Sequence, residues 1–142
     1  MLRQRLFTAL VNIRPFLKKR WLSEIALSED EYENLANETL GKLADYLDSF
    51  PDRFSCDGEY DVNSSMGVVT AKISRKIGAY VINKQTPNRQ IWLSSPLSGP
   101  KRFNLVDKKW ISTRDNISLD ALLNNEFRKI FQTENIDFSE YL

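Results

Sequence analysis

Two amphipathic helical patterns bracket a run of short strand patterns, and that order leaves few folds open to the chain. The first pattern begins at Ser28-Glu29-Asp30-Glu31, a capping box with Ser28 as the cap and Glu31 three residues on. Apolar positions follow at Tyr32, Leu35, Ala36, Leu40, Leu43, Ala44 and Leu47, the three-and-four spacing of one helix face. The helix is expected to stop before Pro51, because proline disfavours helical geometry at the residue preceding it. The second pattern is capped by Ser118 and runs through Leu119, Leu122, Leu123, Phe127, Ile130 and Phe131. A tail from about Thr133 ends in Phe138, Tyr141 and Leu142, which are expected to pack across the helices.

Between the helices, strands are expected at 60–62, 67–73, 79–83, 90–94, 101–106 and 110–113. Thr86-Pro87-Asn88-Arg89 reads as a turn whose proline presets φ. Consecutive strands with short links favour an antiparallel sheet. The expected fold is α+β, a two-layer sandwich with two roughly parallel helices on one face of about six strands. A length of 142 residues suits one domain with a single core.

The chain has no histidine, which removes Ser-His-Asp and Cys-His catalysis and every His-ligated metal site. Cys56 is the one cysteine, so no intrachain disulfide or cysteine-cluster metal site can form. A metal held by this chain alone must be bound mainly by oxygen. No apolar run approaches the roughly 20 residues that span a bilayer.

The net charge of +1 conceals segregation. Residues 1–23 carry six bases and no acid, and residues 24–61 carry twelve acids against Lys42 and Arg53. Residues 62–142 carry twelve bases and seven acids. The Arg-rich, acid-free start, interrupted by Asn12, Arg14 and Pro15, reads as a mitochondrial transit peptide over 1–24, with the domain over 25–142. A basic tail or a surface-lying amphipathic helix is the alternative.

Glu29, Glu33, Glu38, Asp45, Asp48 and Asp52 are expected on the polar side of the first helix. Asp57, Glu59 and Asp61 alternate and would share one face of an extended strand. Like charges three or four apart on a helix cost roughly 0.2–0.5 kcal/mol per pair, and few bases offset them here. Such an edge suits divalent cations or a basic partner; on charge alone a solvated helix face ranks first. In the fourth strand Ile91 and Leu93 point one way, and Gln90, Trp92 and Ser94 the other. If the aliphatic pair faces the helices, Trp92 faces solvent, with Val81, Asn83 and Gln85 on the same side and Arg102 nearby. Exposing tryptophan gains no folding stability, and tryptophan beside amides and arginine has the composition of a protein-binding hot spot. A nucleic-acid interface is the third reading, but the RRM signature is missing and the acidic helix would repel phosphate.

Residues 83–102, NKQTPNRQIWLSSPLSGPKR, closely resemble the signature of eukaryotic frataxins. Gly78-Ala79-Tyr80-Val81-Ile82, Tyr60-Asp61-Val62, Gly67-Val68, Trp110 and Ser118-Leu119 extend the resemblance over roughly residues 28–131. It implies the same helix–sheet–helix sandwich, a mitochondrial matrix location and a part in iron–sulfur cluster assembly. There the family joins a cysteine desulfurase and a scaffold protein and accelerates sulfur transfer. Iron chaperoning and ferroxidase activity, Fe2+ oxidation by O2, are also ascribed to it. The resemblance assigns partner contacts to Asn83, Lys84, Gln85, Pro87, Trp92 and Arg102. It assigns weak, carboxylate-bound iron (Fe2+/Fe3+) to Glu29, Glu33, Glu38, Asp45, Asp48, Asp52, Glu59 and Asp61. It implies a monomer with iron-dependent oligomers as a second state, and neither nucleic-acid binding nor stable membrane association. Asn37, Gly41 and Ser49 stand where the family often has acids, which weakens iron binding or shifts it toward the helix ends. Leu105 stands where an aromatic is common, which thins the outer aromatic patch.

Overall fold

A computed structural model describes residues 27–142; the leader expected at 1–24 lies outside the described residues. Helix α1 spans Glu29–Asp48, and a one-turn helix α2 follows at Phe50–Arg53. Six strands come next: β1 (Asp61–Ser65), β2 (Val68–Ser74), β3 (Gly78–Gln85), β4 (Gln90–Ser95), β5 (Gly99–Val106) and β6 (Lys109–Ser112). Helix α3 spans Leu119–Phe131. The sheet is antiparallel throughout, and its spatial order is the chain order. This is the expected α+β sandwich. No described helix is long and apolar enough to cross a membrane.

The local chemistry accounts for the element ends. The Glu31 amide donates to Ser28 Oγ at 3.1 Å and the Ser28 amide to Glu31 Oε2 at 2.9 Å, closing the capping box. Ser118 Oγ likewise accepts the Ala121 amide at the start of α3. Ser49 ends α1, and Pro51 sits in the first turn of α2, where its missing N–H costs nothing. Between β3 and β4 the expected turn is a single 3-10 turn over Thr86–Asn88, closed by Arg89 in the left-handed region (φ 51°).

One face of the sheet carries the core. Val69, Ala71 and Ile73, then Tyr80 and Ile82, then Ile91 and Leu93, then Phe103 and Trp110 are buried. They meet Tyr32, Ala36, Leu40, Leu43 and Leu47 of α1 and Leu119, Leu122, Leu123 and Phe127 of α3. Fully burying each Val, Leu, Ile or Phe side chain among them contributes roughly 1.5–3 kcal/mol relative to leaving it in water. The core stripe of α1 differs from the expected one: Leu35 is exposed, while Thr39 and Tyr46 are buried. Thr39 Oγ1 accepts the Trp110 indole N–H at 2.9 Å, so a polar residue belongs to the inner face because it has a buried donor to satisfy. The tail does pack inward, with Ile136 and Phe138 fully buried.

Candidate functional site: an acidic helix and an open sheet face

Strand register builds a lateral row on the side of the sheet away from the helices. Val68 pairs with Asn83, Asn83 with Trp92 and Trp92 with Arg102, across β2 to β5. A second row runs Gln85, Gln90, Asn104. The alternation argument is borne out here: Ile91 and Leu93 are buried on the inner face, and Trp92 is half-exposed on the outer one. Arg102 lies over the Trp92 ring with Cζ 4.6 Å from its centroid. Cation–π stacking at such an exposed site contributes about 0.5–1 kcal/mol. The Trp92 indole N–H donates to Gln90 Oε1 at 2.9 Å, and Gln90 Nε2 donates to Asn104 Oδ1 at 2.9 Å. The N–H edge of the indole is thus held by Gln90 and one face is covered by Arg102, so the ring is presented in one orientation. Gln90 and Asn104 are positioning residues beyond the expected set. The period-two pattern places Gln90 on the same face as Trp92, whereas Asn104 joins only through strand pairing.

Lys84 departs from the other residues assigned to partner contact. Between Asn83 and Gln85 it points to the helix side, as alternation requires. Its ammonium donates to Glu33 Oε2 at 2.5 Å and to Asn37 Oδ1 at 3.0 Å. Pro87 is exposed in the 3-10 turn.

The carboxylates do not form one ridge. Glu33 is engaged by Lys84 and by the Thr86 hydroxyl, which together hold its carboxyl below the ordinary range. Glu38 pairs with Lys42 at 2.5 Å, and Glu59 pairs with Arg75 at 3.2 Å and Lys72 at 3.5 Å. Asp52 belongs to α2, past the break at Ser49, so it does not continue the α1 surface. Asp57 is not in an extended strand with Glu59 and Asp61. Its side chain accepts the Glu59 amide at 2.8 Å and its carbonyl the Tyr60 amide at 3.0 Å, which makes a turn there. Glu29, Asp45, Asp48, Asp52 and Asp61 form no ion pair among the described residues. Within those residues no three His, Cys, Asp or Glu side chains converge on a point where a metal ion would sit. Exposed carboxylates without a preformed cage hold hard cations only loosely.

Together these features define a class: a two-layer sandwich with an acidic helix on one side and an aromatic, amide-rich open sheet on the other. A frataxin-like domain model matches residues 25–133. The chain is 48% identical over 128 residues to mitochondrial frataxin of Caenorhabditis elegans, covering 89% of this chain and 93% of that one. The chain belongs to the frataxin family. It is also 43% identical over 100 residues to the mitochondrial frataxin homolog of Saccharomyces cerevisiae, covering 70% of this chain and 56% of that one. Among solved structures it is similar to trimeric frataxin from the same yeast, complexed with ferrous iron. The TM-score is 0.62 at 42% identity, over 70% of this chain and 87% of that one.

Proposed function

We propose that this chain is an iron–sulfur cluster assembly factor of the mitochondrial matrix, delivered there by a leader over residues 1–24. Its open sheet face docks on a cysteine desulfurase–scaffold complex and accelerates sulfur transfer to the scaffold. The observation that carries this reading is Trp92, held half-buried between Gln90 and Arg102 on a sheet face that none of the described helices covers. A side chain of that size, fixed in orientation but left partly in water, is suited to a partner's pocket. Asn83, Gln85, Trp92 and Arg102 form the contact, and Pro87 extends it along the turn. The acidic helix faces a basic region of the desulfurase, where complementary charge speeds encounter and fixes register. The same acidic helix disfavours nucleic acid, and the protein stays off membranes. Fe2+ and Fe3+ bind weakly, at Glu29, Asp45, Asp48, Asp52 and Asp61 before the ion-paired Glu33, Glu38 and Glu59.

A second reading is an iron chaperone or ferroxidase that collects Fe2+ and oxidises it with O2. It is favoured by Asp45 and Asp48, which lie one turn apart on α1 without a described ion pair, and by the yeast relative complexed with ferrous iron. Both readings are tested by following persulfide arrival on the scaffold at constant iron, with the wild-type chain, Trp92→Ala and Asn83→Ala. Loss of stimulation in both variants is expected. A wild-type chain that is inert without Fe2+, matched by both variants, would transfer the function to the acidic helix.

A further inference from the structure

The two surfaces are joined by a short set of hydrogen bonds that begins at Lys84. The lysine stem leaves β3 toward the helix side and runs beside the β1–β2 turn. A Cβ at Gly67 (φ +74°) would stand 3.2 Å from Lys84 Cε and 3.5 Å from its Cβ. The Lys84 amide also donates to the Gly67 carbonyl at 2.9 Å. The glycine is therefore required twice, by its backbone conformation and by the lysine it lets pass. At the end of that path, one carboxylate joins two points of the chain. Glu33 Oε2 accepts from Lys84 and Glu33 Oε1 from the Thr86 hydroxyl. Lys84 is the penultimate residue of β3 and Thr86 the first of the 3-10 turn.

The neighbouring Tyr32 repeats this arrangement with the backbone. Its oxygen accepts the Gln85 amide at 3.0 Å, and its hydroxyl donates to the Gln90 carbonyl at 2.6 Å. Arg89 Nη1 donates to the Leu27 carbonyl at 2.6 Å. The start of α1 thus grips the β3–β4 turn at residues 84, 85, 86, 89 and 90. Gln90 is also the residue that holds the Trp92 indole. Lys84 and Glu33 face each other on the helix side, with side chains 22% and 27% exposed, and the lysine ammonium is directed at Glu33 and Asn37 rather than at the open sheet face.

We infer that Lys84, paired with Glu33, is a positioning residue for the open sheet face: it sets the β3–β4 turn and, through Gln90, the pose of Trp92, without touching the partner. The inference rests on the docking reading for its functional consequence, but not for its structural one. It also accounts for the late place of Glu33 among the iron-binding carboxylates, since a cation there would have to displace the lysine ammonium.

The test uses the full chain as Lys84→Met, which keeps most of the stem, as Glu33→Gln, and as the exchange Lys84→Glu with Glu33→Lys. The Trp92 indole N–H and Gln85 amide resonances are read in the free protein, and the half-saturating concentration is read in the sulfur-transfer assay. Trp92→Phe assigns the indole signal. Both single variants are expected to shift these resonances and to raise half-saturation about fivefold at an unchanged maximal rate, with the exchange restoring both. Unmoved resonances in Lys84→Met overturn the inference. So does weaker docking with unmoved resonances and no rescue by the exchange, which would make Lys84 a contact. If Trp92→Ala leaves half-saturation unchanged while Lys84→Met still shifts the resonances, the docking reading fails and the positioning role stands.

Discussion

Gly41 lies on the solvent side of α1, and a Cβ built there meets nothing within 4 Å. Its backbone is helical, so it supplies only unfolded-state freedom and no special geometry. Gly41→Ala is therefore expected to stabilise the domain by about 0.5–1 kcal/mol, read as a higher urea midpoint with the same slope. Asp115 offers a pH-dependent counterpart. The Ser112 hydroxyl first, then the Lys101 ammonium at 3.0 Å, hold its pKa down from 3.8 to about 2. A depressed carboxylate stabilises the fold fully above its unfolded pKa, and that contribution disappears as pH falls through the folded one. The stability difference between wild type and Asp115→Asn should be constant above about pH 5 and should shrink from there toward about pH 2. Equal differences at pH 6 and pH 2 would show that the carboxylate charge is not what the site uses.

At the scale of elements, the strands were legible because one face is buried, so apolar alternation in β3 and β4 also states which way Trp92 points. The caps of α1 and α3 were legible because Ser28 and Ser118 act on amides three residues away. What failed was local chemistry that competes with a simple period. Asp57 folds its own carboxylate onto the Glu59 amide, and that turn outweighs the alternation of Asp57, Glu59 and Asp61. Thr39 breaks the apolar period of α1 yet is buried, because the indole of Trp110, 71 positions away, donates to its hydroxyl. The pairing of Glu33 with Lys84 is of the same kind: a separation of 51 positions leaves no periodic trace. A list of acids therefore reads as a single ridge until tertiary partners divide it into engaged and unengaged carboxylates.

For the whole molecule, the tail decides how the two helices close over the sheet. Phe138 is fully buried and meets Tyr46 of α1 at 5.0 Å and Phe127 of α3 at 5.1 Å between ring centroids, both edge to face. Its amide donates to Asn124 Oδ1 at 2.7 Å. The Asp137 amide donates to the Tyr46 hydroxyl at 3.1 Å, and Arg128 Nε donates to the Ile136 carbonyl at 2.7 Å. The tail is thus a third piece of core, tied to both helices by its backbone. Phe138→Ala leaves a cavity where helix–helix contact depends on it, with an expected cost of about 3–5 kcal/mol in urea unfolding. A cost under about 1 kcal/mol would mean that the helices close without the tail. Because the cavity opens on the helix side of the sheet, the docking proposed for the open face predicts that the folded fraction of this variant keeps the wild-type half-saturation in the sulfur-transfer assay. Loss of stability and loss of docking would then separate along the two faces of one sheet, Phe138 governing the first and Trp92 the second.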